Sequence, residues 1–221
     1  MTDEKKIKIT ENGPYVVTGK IPLEKELSIT ETLYPVKWEK GEKYPEKSTC
    51  LLCRCGKTSK EPYCDGSHTK ALFNGKETAS RTTYDEQAKT ITGPGIDLKD
   101  AEKLCSGARF CDVGGGTWFL TEKSDHESAK AKVIQQSCDC PSGRLVAVDK
   151  STGNPIEPDF DQSISITEDY PSKVKGPIWV KGGIPIESSD GTIYEIRNRV
   201  TLCRCGKSKN KPFCDGKHLE I

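Results

Sequence analysis

One pattern of cysteine and histidine occurs twice in this chain and constrains its fold more than any other feature. The first copy reads CRCGKTSKEPYCDGSH and the second CRCGKSKNKPFCDGKH, and both have the spacing C-x-C-x8-C-x3-H. The chain has three histidines and two of them end these copies, so chance is a poor explanation. The candidate metal ligands are Cys53, Cys55, Cys64 and His68 in the first copy and Cys203, Cys205, Cys214 and His218 in the second.

Composition limits what else can hold the chain together. Of its 221 residues only 33% are hydrophobic and 30% are charged, too polar for the large aliphatic core of a doubly wound or barrel enzyme. Lys and Arg number 34 against 33 Asp and Glu, a net charge of +1. This balance disfavours full disorder, and it disfavours global attraction to nucleic acid or to an anionic membrane. The cysteines are therefore the candidate for stabilising the fold.

Four more cysteines lie between the two copies, and one is left over. With Cys50, which belongs to none of these sets, the chain has 11 cysteines, and an odd number favours metal ligation over a disulfide framework. The N-terminus lacks the apolar stretch of a signal peptide, and no apolar run is long enough for a transmembrane helix. We therefore expect a cytoplasmic protein, in which clustered cysteines bind metals. The four central cysteines are Cys105, Cys111, Cys138 and Cys140.

The segments that precede the two copies also match. Residues 13–23 align with 176–186 without a gap, and residues 7–11 resemble 164–168, so an internal duplication is interrupted by a third module. Alternating β-branched and polar residues between Gly and Pro predict strands and turns. We predict an α+β protein with modules at 1–78, 79–157 and 158–221, whose two outer modules are β-rich.

The middle module has a different pattern. Ser124 and Glu127 have the spacing of a capping box, which predicts a helix from there to about Gln136. Cys138 and Cys140 follow this helix, and a Pro-Ser-Gly turn then leads into a predicted strand at 144–148.

Two metals suit three cysteines and one histidine. Structural zinc sites use such a set, but they usually open with two to four residues between the first two cysteines, and here only one arginine separates them. A two-iron cluster has two metal centres, so Cys53 and Cys55 could bind one iron while Cys64 and His68 bind the other. The spacing favours the two-iron cluster over zinc.

Both copies resemble the motif of the CDGSH iron–sulfur family, also called NEET proteins, C-x-C-x2-(S/T)-x3-P-x-C-D-G-(S/A/T)-H. Thr58, Pro62 and Ser67 fill its other positions in the first copy. Lys217 departs from the small residue expected before the second histidine, and we expect it to alter that cluster's potential or stability. The resemblance implies one [2Fe-2S] cluster for each copy. NEET proteins with one motif are intertwined homodimers, so the resemblance also implies a monomer in which the two repeats form an internal pseudo-dimer.

The histidine ligand has a chemical consequence. Imidazole is neutral where thiolate is negative, so the reduction potential should exceed that of a site with four cysteines. Imidazole also gains a proton near physiological pH. NEET relatives are regarded as redox-active and able to donate their clusters through this residue. We therefore predict that His68 and His218 are the labile ligands.

The central cysteines look like those of a divergent single-cluster ferredoxin. Bacterial ferredoxins space three ligands as C-x2-C-x2-C and add a remote Cys-Pro. Here Cys105 and Cys111 stand at the outer positions, Ala108 replaces the middle cysteine, and Cys140 precedes proline. Three thiolates would suit [3Fe-4S], and Cys138 as a fourth ligand would restore [4Fe-4S]. An empty remnant domain is the alternative.

Three other features have plainer interpretations. We expect Cys50 to be a small buried strand residue and His126 to be a solvated side chain. Gly114 begins a run of three glycines that lacks the Gly-Lys-Ser/Thr of a phosphate loop, so a turn is expected there.

Together these patterns indicate an electron-transfer or cluster-carrying protein rather than an enzyme. No Ser/His/Asp set, carboxylate pair or cofactor loop stands out. The expected cofactors are two [2Fe-2S] clusters and one [3Fe-4S] or [4Fe-4S] cluster. The expected partners are redox proteins or apo iron–sulfur acceptors, with no nucleic acid and no membrane. The alternative function is a zinc-binding scaffold or interaction module.

Overall fold

The computed structural model describes residues 4–221, and its elements follow the three-part organisation of the sequence. The first repeat contains β1 (Lys6–Ile9), β2 (Tyr15–Thr18), β3 (Leu23–Thr30), β4 (Pro35–Lys43), β5 (Thr49–Leu52) and α1 (Ser67–Lys70). The middle region contains α2 (Tyr84–Gln87), β6 (Lys89–Thr92), β7 (Asp97–Asp100), α3 (Thr117–Glu122), α4 (Glu127–Asp139), β8 (Leu145–Val148) and β9 (Pro155–Ile156), with 3-10 helices at Glu102–Leu104 and Phe110–Gly115. The second repeat contains β10 (Ser163–Tyr170), β11 (Lys175–Lys181), β12 (Ile186–Glu187), β13 (Arg199–Leu202) and a 3-10 helix at Lys217–Glu220.

The two repeats exchange one strand each. One sheet has the order β12-β1-β2-β5, in which β12 of the second repeat lies parallel to β1 and Ile186 pairs with Ile7. The other has the order β13-β11-β10-β3-β4, in which β3 of the first repeat lies parallel to β10 and Leu23 pairs with Ile164. Leu23 and Ile186 occupy equivalent places in the two repeats, so the exchange is symmetrical. The predicted α+β pseudo-dimer is confirmed.

Both repeats contribute to one hydrophobic core. Small β-branched and aliphatic side chains that alternate along the strands fill it, because successive side chains of a strand point to opposite faces. Lys181 and Glu26, from different repeats, form a buried ion pair at 3.0 Å. The core residues are Ile7, Ile9, Tyr15, Val17, Ile21, Leu23 and Leu52 from the first repeat and Ile164, Ile166, Ile178, Val180, Ile184, Ile186, Tyr194, Val200 and Leu202 from the second.

The middle region has its own sheet and core. Strands β6-β7-β8-β9 form an antiparallel sheet, and Val133 of α4 packs against Leu98 and Leu145. The predicted strand at 144–148 is confirmed as β8. The predicted start of α4 is wrong, because the helix begins at Glu127 with His126 as its N-cap. The Ser124 hydroxyl instead accepts hydrogen bonds from the backbone N–H groups of Gly95 and Ile96, so it ties their loop to the turn between α3 and α4.

Side chains from both repeats anchor the middle region. Arg199 of β13 is 1% exposed and donates hydrogen bonds to the carbonyls of Ser137, Cys140 and Leu145. Trp38 of β4 donates to the carbonyl of Asp139 at 2.9 Å and stacks on Phe110. These contacts fix the end of α4, where Cys138 and Cys140 lie.

A search for membrane-spanning segments within residues 4–221 finds no helix of sufficient length and hydrophobicity.

Candidate metal centres

The first ligand set lies where β5 ends. Cys53 donates its backbone N–H to Pro62 at 2.9 Å, and Cys64 donates to Leu51 at 2.8 Å. These bonds fold the chain back on itself, so that residues eleven positions apart in sequence become neighbours in space. The Sγ atoms of Cys53 and Cys55 are 3.6 Å apart, and Sγ of Cys64 is 3.4 Å from Nδ1 of His68.

The second ligand set repeats this geometry after β13. Cys203 donates to Pro212 at 2.8 Å and Cys214 donates to Thr201 at 2.9 Å. The Sγ atoms of Cys203 and Cys205 are 3.6 Å apart, and Sγ of Cys214 is 3.4 Å from Nδ1 of His218. Each set therefore consists of two pairs, one of two cysteines and one of a cysteine and the histidine.

The pairs do not converge on one point. Within residues 4–221, no group of three or more His, Cys, Asp and Glu side chains is placed to hold a single metal ion. A tetrahedral zinc site requires all four donors around one ion. Two separate pairs match the donor arrangement of a centre with two metal atoms.

The Asp-Gly turn after the third cysteine directs a backbone donor to sulfur. Gly66 has φ of 87°, and its N–H points to Sγ of Cys64 at 3.4 Å. Gly216 has φ of 81° and makes the same contact with Cys214 at 3.4 Å. A residue with a Cβ rarely adopts this left-handed conformation, so the glycine allows an N–H to stabilise negative charge on the sulfur.

An arginine sits between the first two cysteines of each set, buried in the first set and half-buried in the second. Arg54 is 2% exposed and donates to the carbonyl of Thr10 at 2.8 Å. Arg204 donates to the carbonyls of Gly176 and Thr167 at 2.6 and 3.1 Å. Each arginine clamps its cysteine loop to the hairpin formed by the first two strands of its repeat. The ligand spacing does not predict this role, although arginine stands at the same place in both copies.

The loops of the two sets touch each other. Cys55 and Cys205 form an antiparallel backbone bridge. A Cβ on Gly56 would lie 2.6 Å from the carbonyl oxygen of Cys205, and a Cβ on Gly206 would lie 2.7 Å from that of Cys55. The pseudo-dimer therefore brings both ligand sets to the same end of the molecule.

The two sets differ in exposure. Cys214 is 2% exposed and His218 is 8% exposed. Their counterparts Cys64 and His68 are half-buried. Burial accordingly lowers the pKa of His218 below its ordinary value. The second histidine is buried, whereas the first is half-buried.

Three central cysteines line one small cavity, and the fourth does not. Cys105, Cys111 and Cys140 face this cavity together with Ala108. Cys138 lies outside the lining, and its thiol points to the carbonyl oxygen of Ile156 at 3.9 Å. Cys138 lies within α4, whereas Cys140 leaves the helix at its end, so the two side chains point in different directions. The expectation that Cys138 joins the other three is not met by this geometry.

The central loop packs against the second set. A Cβ on Gly107 would lie 2.6 Å from Cδ1 of Leu219, and one on Gly216 would lie 3.8 Å from the carbonyl oxygen of Cys105. Asn210 donates its side-chain N–H to the carbonyl of Lys103 at 2.9 Å. The loop of the first set therefore contacts the loop of the second set, and the loop of the second set contacts the loop of the central cysteines.

The chemistry of the donors fits iron–sulfur clusters. Burial, more than any other influence, raises the pKa of Cys55 to about 11 and that of Cys111 to about 12. The nearby carboxylate of Asp112 also acts to raise the pKa of Cys111. Such thiols stay protonated unless a cation replaces the proton, and soft thiolates favour iron–sulfur clusters or zinc.

The remaining candidates have no ligand role in this structure. Cys50 is half-buried on β5 and packs against the shared core. His126 is exposed at the start of α4, with 74% of its side chain accessible. Gly114 lies at a kink in the 3-10 helix Phe110–Gly115, which precedes α3.

Comparison with known families agrees with these positions. The family described as iron-binding zinc finger CDGSH type matches residues 12–69 and 175–219. The family described as divergent 4Fe-4S mono-cluster matches residues 91–150. No curated protein and no solved structure gave a significant match. Two segments of the chain therefore match the CDGSH-type family, and they flank a segment that matches the divergent 4Fe-4S mono-cluster family.

Proposed function

We propose that this iron–sulfur protein is an electron carrier with three metal centres in one chain. Cys53, Cys55, Cys64 and His68 hold one [2Fe-2S] cluster. The equivalent residues of the second repeat, Cys203, Cys205, Cys214 and His218, hold another. A third cluster, [3Fe-4S] or [4Fe-4S], is held by Cys105, Cys111 and Cys140. When bound, such clusters take up and release single electrons at iron.

The observation that carries this proposal is the direct contact between ligand loops. The bridge between Cys55 and Cys205 joins the two outer sets, and the approach of Gly216 to Cys105 joins the second set to the central one. Three ligand sets on touching loops suit the movement of electrons within one chain. Isolated zinc sites that only stabilise modules have no need of such contacts.

The protein groups around each set support binding rather than catalysis. Arg54 and Arg204 hold the cysteine loops, and Gly66 and Gly216 direct N–H groups at sulfur. Hydrogen bonds to sulfur are among the features that set the reduction potential of a cluster. The chain acts in this proposal as a carrier, and the two repeats complete the fold without a second copy.

Transfer of intact clusters to other proteins is a second role that one observation favours. The half-buried Cys64 and His68 leave the first set open to an incoming acceptor, whereas Cys214 and His218 are covered. The first set is thus the more suitable donor, and the second the more suitable permanent centre.

Metal and sulfide analysis of anaerobically purified protein tests the proposal. We expect about seven or eight irons per chain, acid-labile sulfide and visible absorbance. About four irons would leave the central set empty. A colourless protein with zinc and no sulfide would contradict the proposal and favour a structural scaffold.

A further inference from the structure

A groove lined by lysines opens beside the first ligand set. It encloses about 550 Å³, and Cys55 lies in its wall. The first repeat and the segment that follows it supply one side, and the loop after Cys205 supplies the other. Its cationic residues are Lys57, Lys76, Lys207, Lys209 and Lys211.

None of these lysine side chains is paired with a carboxylate in the part of the chain that the structure describes. No Asp or Glu of residues 4–221 lines the groove. The cavity on the other side of Lys57 and Lys207 offers a contrast. There Glu61 pairs with Lys175 at 2.8 Å and with Arg204 at 3.3 Å. The lining of that cavity therefore includes a carboxylate, whereas the lining of the groove includes none.

The walls of the groove are held in place by backbone contacts. Thr78 and Ala79 donate their backbone N–H groups to the carbonyl of Lys211 at 2.8 and 2.9 Å. The Thr78 hydroxyl donates to the carbonyl of Lys209 at 2.7 Å. The groove is therefore built before any partner arrives, which reduces the entropy lost on binding.

An apolar side chain stands at the rim. Leu72 is 89% exposed and has φ of 47°, a left-handed conformation that is uncommon for a bulky residue. Strained residues at the surface concentrate at binding sites. An apolar contact surrounded by charge is the usual composition of a protein interface, in which the charges set the rate and orientation of docking.

We propose that this groove is the docking site of an acidic partner protein. The partner's carboxylates would pair with the lysines, and its surface would cover Leu72 and lie against the loop of Cys55. A protein is favoured over nucleic acid, because the groove offers no arginine fork for phosphate and the chain's net charge is +1. The redox character of the partner rests on the proposed function, while its acidic chemistry rests on the groove alone.

Binding of two acidic electron-transfer proteins, a flavodoxin and a plant-type ferredoxin, tests the proposal by calorimetry on the intact, anaerobically purified chain. The groove variant carries Lys57→Glu, Lys76→Glu and Lys209→Glu. The control variant carries Lys89→Glu, Lys123→Glu and Lys132→Glu, which are exposed lysines of the middle region. Both variants change the net charge equally, so a difference between them reports position. A third variant with Lys→Gln at the three groove positions covers the case in which charge reversal prevents folding.

For at least one probe we expect Kd to rise at least about 10-fold in the groove variant relative to the control. The Lys→Gln variant should lie between them. Binding by the unmodified chain should weaken between about 0.01 M and about 1 M salt, where the Debye length falls from about 30 Å to about 3 Å. Equal loss in both charge-reversal variants, or binding of neither probe, would overturn the proposal. It would also be overturned if a DNA duplex or phosphatidylserine vesicles bound through the groove while neither acidic protein did.

Iron and sulfide are measured on the same samples. A zinc protein that binds the probes through the groove would contradict the proposed function and leave the docking site standing. A protein that holds its clusters, but whose binding of the probes does not depend on the groove lysines, would contradict the docking site and leave the proposed function standing.

Discussion

Cys55 and Cys205 face each other in an antiparallel backbone bridge, which joins the two ligand loops at the centre of the pseudo-dimer. The bridge is tight because glycine follows each cysteine. Gly56 has φ of 69° and Gly206 has φ of 78°, and each lies against the backbone of the opposite loop. Intramolecular contact between the outer centres depends on these two residues.

Substitution of Gly56 by alanine should therefore be costly. The new Cβ would lie 2.6 Å from the carbonyl oxygen of Cys205, and the left-handed backbone adds strain. Gly153 is a matched control, since its φ is 72° and nothing lies within 4 Å of an added Cβ. In urea unfolding we expect Gly153→Ala to cost about 1 kcal/mol and Gly56→Ala at least about 3 kcal/mol. Equal costs would show that the two loops are not in contact.

Arg199 should couple the second repeat to the middle region. Its guanidinium donates to three carbonyls at the end of α4 and the start of β8, and its side chain is buried. Arg199→Ala leaves those carbonyls without partners, so we expect a loss of about 3 kcal/mol in thermal unfolding. Arg199→Lys keeps the charge but loses the planar guanidinium whose N–H groups reach all three carbonyls. It should therefore recover less than half of that loss in stability. Full recovery by lysine would mean that charge alone is what matters there.

The central cysteines should separate into three ligands and one bystander. Cys138 points to Ile156 while Cys140 lines the cavity with Cys105 and Cys111. Cys138→Ser should leave the iron content unchanged, whereas Cys140→Ser should remove about three or four irons per chain. Iron analysis with EPR of each variant decides the point. Loss of iron in Cys138→Ser would show that Cys138 is a ligand and would contradict this prediction.

Differences in exposure predict different rates of iron loss at constant pH. Cys64 and His68 are half-buried, whereas Cys214 and His218 are 2% and 8% exposed. A chelator should reach the first set sooner, and we expect it to remove that iron several-fold faster.

Two variants that each keep one outer set make this measurable, both in a Cys111→Ser background. One carries Cys53→Ser and Cys64→Ser, and the other carries Cys203→Ser and Cys214→Ser. Absorbance loss with a ferrous chelator is followed in each. Equal rates, or faster loss from the second set, would contradict the role given to burial.

Glu77 should give the fold a pH-dependent contribution. Burial acts to raise its pKa, but hydrogen bonds from Ser189 and Tyr194 together hold the pKa below the ordinary value. A carboxylate with a lowered folded-state pKa stabilises the protein above the unfolded pKa of about 4.3 and loses that contribution as the pH falls through the folded value. In urea unfolding, Glu77→Gln should have a lower free energy of unfolding than the unmodified chain at pH 7. The difference between the two should shrink below about pH 4. A difference that stays constant with pH would refute this.

The ligand spacing and the duplication were readable in the sequence, because ligands and repeats are local patterns. The strand exchange was not, since the pairing of Ile7 with Ile186 depends on how two distant repeats associate. The sequence also placed a capping box at Ser124, whereas the structure forms one at Thr83 and Glu86. Both have the required spacing, but the Ser124 hydroxyl accepts a hydrogen bond from the backbone N–H of Gly95 and does not cap α4.

The direction of Cys138 could not be read from spacing either. One residue separates it from Cys140, and only the point at which α4 ends determines which thiol faces the cavity. The clamping role of Arg54 and Arg204 likewise does not follow from the ligand spacing, because their partners are backbone carbonyls, which any residue type supplies.

The central claim is that one chain holds three redox centres, and an anaerobic reductive titration followed by absorbance and EPR tests it most directly. Two [2Fe-2S] clusters and one cubane-type cluster each accept one electron, so about three electrons per chain are expected, with distinct EPR signals from the outer and central centres. A chain that accepts no electrons would contradict the claim outright. A chain that accepts only about two would show that the central cysteines hold no redox centre.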